Sequence, residues 1–121
     1  MSGAGAASNM AAASKMPAVV MEPTEWKIVA RILRKFAGGR TVWAYGSRAT
    51  GKRVKRSSDL DLVMDGPPFI GLQAWKLEEA FDESRLPFKV EFQRLEDLSE
   101  EFRRRIEEDF VVVQSAEVES G

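Results

Sequence analysis

Apolar residues recur at helical spacing in PTEWKIVARILRKFAGG, where Val29, Ile32, Leu33 and Phe36 share one stripe. Pro23 and Thr24 suit a first helical turn, and Glu25 suits the positive end of the dipole. Gly38 and Gly39 end the pattern. TVWAY is β-branched and aromatic and predicts a short buried strand. GSRATGK turns the chain, with a short helix beginning near Ser47. DLDLVM then alternates, placing Leu60, Leu62 and Met64 on one side and Asp59, Asp61 and Val63 on the other.

GPP breaks regular structure at residues 66–68. The segment FIGLQAWKLEEAFDESRLP predicts a second long helix, buried through Ala74, Leu77, Ala80 and Phe81 and closed by Pro87. FKVEFQ predicts a third strand with Val90 and Phe92 inward and Lys89, Glu91 and Gln93 outward. LEDLSEEFRRRIEEDF predicts a third long helix through Leu98, Phe102 and Ile106, and VVVQ a last short strand. This order gives an α/β (α+β) domain: a small mixed sheet of three to four strands flanked by helices.

Composition narrows the chemistry more than the fold. The chain has 121 residues, enough for one small domain. The opening MSGAGAASNMAAASKMPAVVM is rich in Ala, Ser and Gly and reads as a flexible leader over residues 1–21. Met10, Met16 and Met21 offer alternative starts. The domain is expected over residues 22–114, followed by a polar tail over 115–121. The leader lacks the charged start and long apolar core of a signal peptide. No stretch reaches the apolar length that spans a membrane.

There is no histidine and no cysteine. Thiol nucleophiles, thiolate zinc sites, imidazole bases and Ser-His triads are therefore excluded. Any metal must be held by oxygen, which favours Mg2+, Mn2+ or Ca2+. A cysteine-free chain suits the cytoplasm. The net charge of −1 argues against general coating of nucleic acid, so any attraction for anions is local.

That local charge lies in GSRATGKRVKRSSDLDLVMD. Asp59 and Asp61 share a predicted strand face, their backbones about 6.6 Å apart. Cations between them would relieve their repulsion, and a pair of ions about 3.5–4 Å apart fits enzymes that clamp a phosphoryl group. An exposed edge strand with acids facing water gives the same Asp-x-Asp pattern. Gly46 and Ser47 follow a strand directly, where glycine permits a sharp turn and helical N–H groups can receive phosphate. An ordinary serine-capped turn would read the same way. Arg48, Lys52, Arg53, Lys55 and Arg56 make the intervening loop cationic. Arg48, nearest the turn, is the best candidate for an oxyanion ligand, with two parallel bonds available, although an ordinary solvated loop carries charge in the same way. Glu91 becomes a third ligand or base if its strand lies beside that of Asp61; otherwise it is a solvent-facing acid.

Taken in order, GSRATG, then SSDLDLVM, then a helix, then a carboxylate on another strand resembles the nucleotidyltransferase superfamily that includes DNA polymerase beta. The free-standing, minimal MNT-type branch is the nearest likeness, over about residues 24–114. The resemblance implies a polymerase-beta-like fold and transfer of a nucleoside monophosphate from a nucleoside triphosphate, here ATP, to an acceptor hydroxyl. It implies that Gly46, Ser47 and Arg48 hold the nucleotide. It further implies that Asp59, Asp61 and Glu91 are catalytic and bind two Mg2+ ions, with Mn2+ as a substitute. Two departures stand out. The third acid is Glu rather than the usual Asp, and the loop before Asp59 is about one residue longer than usual.

The same resemblance implies a small helical HEPN-domain partner, adenylylated on a tyrosine by an antitoxin. Two other readings remain open at this point: a non-catalytic antitoxin that masks its partner, and nucleotidyl transfer to a small molecule or an RNA end. Trp26, Phe69 and Trp75 are candidates for a partner contact, with core burial the competing role.

Overall fold

The computed structural model describes residues 16–68 and 71–116. Helix α1 runs over Pro23–Phe36, strand β1 over Val42–Tyr45, helix α2 over Ser47–Thr50 and strand β2 over Leu60–Met64. Helix α3 follows over Leu72–Asp82 and strand β3 over Val90–Arg94. A 3-10 turn at Leu95–Asp97, helix α4 over Glu100–Glu107 and strand β4 over Val111–Gln114 complete the order.

The sheet order is β3-β2-β1-β4. β1 pairs antiparallel with β2 and with β4, while β2 pairs parallel with β3. A parallel pair requires a crossover, and α3 supplies it. The mixed sheet expected from the sequence is therefore present. Its register follows from alternation: Val42, Ala44, Leu60, Leu62, Met64 and Val90 turn to the helical layer and are buried.

Helices α1 and α3 pack on each other over that face. Val29 and Leu33 of α1 and Leu77 of α3 are fully buried in the same core, with Ile32 and Phe81 beside them. Phe36, Ala80 and Phe92 pack at its margin, partly exposed. The start of α1 is fixed by Glu25, whose Oε1 accepts from the Glu22 N–H at 2.8 Å. The opposite face carries Trp43, Tyr45, Asp61, Val63, Glu91 and Gln93. Part of it is covered from the C-terminal side, with Trp43 stacked on Phe110 (5.4 Å between ring centroids) and Tyr45 meeting Phe102 edge-on (6.0 Å).

The structure departs from the sequence expectations in three places. The third long helix is divided: Ser99 caps a fresh helix by accepting from the Phe102 N–H at 3.1 Å, so Leu95–Asp97 form a separate turn. Strand β2 begins at Leu60, leaving Asp59 at the end of the loop rather than on the strand. Within the span read as leader, Val19 is buried in the core and Met16 and Met21 pack against it. Residues 16–21 thus belong to the fold; 1–15 lie outside the described residues. Trp26 is a core residue and Trp75 is 54% exposed, while Phe69 lies outside the described residues. Among the described residues no helix is long and apolar enough to cross a membrane.

Candidate active site

The site begins where β1 gives way to α2. Gly46 makes this turn with φ +82, a backbone region that favours glycine. A Cβ at this position would stand 2.9 Å from Oδ2 of Asp61. Only glycine therefore lets the chain turn this close to the carboxylate. The Gly46 carbonyl accepts from the Ala49 and Thr50 N–H groups, each at 3.0 Å. That leaves the N–H groups of Ser47 and Arg48 at the helix start without an intrahelical acceptor, beside the acid.

The sheet then lines up the rest. Tyr45 lies opposite Asp61 across the β1–β2 pair, and Asp61 lies opposite Glu91 across the β2–β3 pair. Tyr45, Asp61 and Glu91 therefore form one row across three strands, on the face away from the helices. The expected placement of Glu91 beside the strand of Asp61 is what the register gives. Asp59, two residues earlier, adds its charge from the loop end.

The electrostatics of Asp61 are one-sided. Burial, the Glu91 charge and the Asp59 charge all push its pKa up, to about 6. Tyr45 is also held above the ordinary phenol value, by burial and then by Asp61, with a smaller push from Glu91. A hydrogen bond from Gln93 Nε2 to its oxygen, at 3.2 Å, works the other way.

The three carboxylates share a neighbourhood but are not drawn together. Among the described residues, no group of three or more acidic side chains stands ready to hold a metal ion. Glu91, more than half exposed, turns to Lys89, with Oε2 3.8 Å from Nζ. Like charges on neighbouring strands repel, and Lys89 gives Glu91 an alternative partner. The donor set is oxygen only, and it suits hard divalent cations.

Arg48 overturns its expected role. It is 3% exposed, and its guanidinium donates to backbone carbonyls throughout. Nε donates to Ser58 O at 2.7 Å and Nη1 to Val20 O at 2.6 Å. Nη2 donates to Arg56 O at 2.8 Å and to Lys55 O at 3.2 Å. The Phe88 ring lies 4.0 Å from its central carbon. A guanidinium enclosed in this way has no fork left for phosphate. The exposed cations of the loop are Lys52, Arg53, Lys55 and Arg56.

Sequence reasoning passed over Tyr45 and Gln93. Alternation was the available signal: Ala44 and Phe92 turn to the helices, so their neighbours Tyr45 and Gln93 must share the face of Asp61 and Glu91. It also passed over Val20, for which the sequence carries no signal, because its contribution is a backbone carbonyl.

Known proteins resemble this chain over the span that carries the site. A family model described as a nucleotidyltransferase domain matches residues 26–115, from α1 through β4. A Haemophilus influenzae protein named "Probable protein adenylyltransferase MntA" is 43% identical over 94 residues, covering 77% of this chain and 82% of that protein. A glycine-serine turn, a cationic loop and a row of acids on adjacent strands all fall within the matched span, and the chain belongs to the nucleotidyltransferase domain family.

Proposed function

We propose that this nucleotidyltransferase moves AMP from ATP to a hydroxyl of a protein, with Mg2+ held by Asp59, Asp61 and Glu91. The carrying observation is that the turn at Gly46 and the register Asp61–Glu91 meet at one point: Asp61 is shared by both. The name of the Haemophilus influenzae relative, a probable protein adenylyltransferase, supports adenylyl transfer to protein. A small helical HEPN-type partner, adenylylated on tyrosine by this chain as antitoxin in the cytoplasm, completes the reading.

In this reaction the acceptor oxygen forms a bond to the α-phosphorus of ATP. The bond from that phosphorus to the bridging oxygen breaks, and pyrophosphate leaves. The acceptor proton passes to a carboxylate, and Glu91, more than half exposed, takes that role. The N–H groups of Ser47 and Arg48 and the Ser47 hydroxyl receive phosphate oxygens. The exposed cations of the loop draw in the triphosphate. Bound Mg2+ supplies positive charge against the phosphates and the acidic row. Catalysis then rests on positioning and charge neutralisation, without a covalent enzyme intermediate.

The test uses ATP labelled at the α-phosphate, Mg2+ and a HEPN-type partner. Label on the partner's tyrosine is expected, and an unlabelled partner beside active controls would contradict it. A second reading, masking of the partner without catalysis, is favoured by the turn of Glu91 towards Lys89. Under that reading Asp59→Asn neutralises the partner as well as the parent does; under the catalytic reading it does not.

A further inference from the structure

Arg48 joins parts of the molecule that are far apart in sequence. Through Nε and Nη2 it fixes the carbonyls of Lys55, Arg56 and Ser58, the last of which immediately precedes Asp59. Through Nη1 it holds Val20 O, and its own carbonyl accepts from the Val20 N–H at 2.8 Å. The two residues are thus bonded in both directions. Its flat face rests on Phe88, which leads into the strand of Glu91. At Lys89 the carbonyl accepts from the Leu60 N–H at 2.8 Å, tying the entries of β2 and β3 together. Arg48 itself stands one residue after Ser47.

We infer that Arg48 is a positioning residue: one guanidinium sets the phosphate-receiving turn against the acidic row, and residues 19–20 are part of that frame. The inference deepens the nucleotidyltransferase reading and rests on it for the role of the turn. Lysine keeps the charge but has no planar fork, so it cannot hold carbonyls on opposite sides at once. Drawing these carbonyls inward also leaves the Lys55 and Arg56 side chains at the rim. They line a cavity of about 270 Å³ with Val20, Met21, Glu22 and Glu25. A chain begun at Met21 would lack both Val20 bonds and the buried Val19.

The experiment measures the affinity of α,β-methylene-ATP with Mg2+ and with EDTA, in the parent and in Arg48→Lys, below the melting temperature of both. The ratio of the two affinities reports how well the turn and the acids act together. Arg48→Lys is expected to shrink that ratio severalfold, because one ammonium cannot hold the turn and the loop carbonyls in place together. Phe88→Leu, which keeps an apolar side chain but removes the ring, is expected to shrink it by a smaller factor. Equal weakening with and without Mg2+ would make Arg48 a direct phosphate ligand and overturn the inference. Unchanged affinities in the folded protein would leave it a purely structural residue, with the same consequence. If the parent itself shows no benefit from Mg2+, the metal-dependent reading of the site fails separately. Amide exchange then decides: the inference requires Arg48→Lys to speed exchange at residues 49–51 and 58–60 together, and acceleration at 49–51 alone overturns it.

Discussion

Arg48 and Asp61 are charged residues drawn into the same end of the sheet, and they live under opposite rules. Arg48 is buried with its charge answered by carbonyls on several sides and an aromatic ring below. Asp61 is partly buried with burial and two like charges acting on it, every influence disfavouring its ionised form. A satisfied buried charge holds a frame in place. A charge set among like charges stores a demand that a cation can meet. The basic loop, which looked like the phosphate ligand, is half scaffold; the acidic row carries the unmet electrostatics.

The largest effect should come from removing that demand. Asp61→Asn is expected to lower AMP transfer by about 10³-fold or more, since positioned charge is among the largest catalytic contributions. Asp59→Asn should match it, with an unchanged fold by circular dichroism. Glu91→Gln should cost less, about 10²-fold in kcat, the lower end of a general base's contribution, because Asp61 remains beside it. Labelled-phosphate transfer rates measure all three.

Stability gives smaller and differently signed effects. Gly46→Ala combines a positive φ with the close approach to Asp61 Oδ2, and should destabilise by about 1–3 kcal/mol. Asp61→Asn should do the reverse at neutral pH. The folded carboxyl titrates at about 6 against an ordinary 3.8, so its contribution is fully present below the ordinary value. It is lost as pH rises through about 6, where ionisation in the fold becomes costly. Discounted for its partial solvation, the gain for Asp61→Asn at pH 7.5 is about 1 kcal/mol, and it should vanish near pH 4. Thermal melts of the two proteins across that range measure it.

Most of the fold was legible because burial and alternation are local. The stripe of Val29, Ile32 and Leu33, the alternation of Leu60, Leu62 and Met64, and the glycine-serine turn each declare themselves within a few residues. What escaped depends on contacts through space or on the backbone. The pairing of Glu91 with Asp61 needed the parallel register, which the chain states only as a condition. Arg48 sits where a phosphate ligand would sit, and nothing local reveals that the carbonyls of residues 20, 55, 56 and 58 converge on it. Val19 is buried although the run from Met16 to Met21 shows neither helical nor strand periodicity. The cap at Ser99 was visible, with Glu100 and Glu101 after it, but a continuous apolar pattern hid the break before it.

The central claim is that Asp59, Asp61 and Glu91 hold divalent metal beside a phosphate-receiving turn. A crystal structure with Mn2+ and α,β-methylene-ATP tests it most directly, because manganese is located by its anomalous scattering. The account predicts peaks bounded by these three carboxylates, with the phosphates on the N–H groups of Ser47 and Arg48. Nucleotide bound elsewhere, or manganese absent from the acidic row while nucleotide occupies the turn, would contradict it.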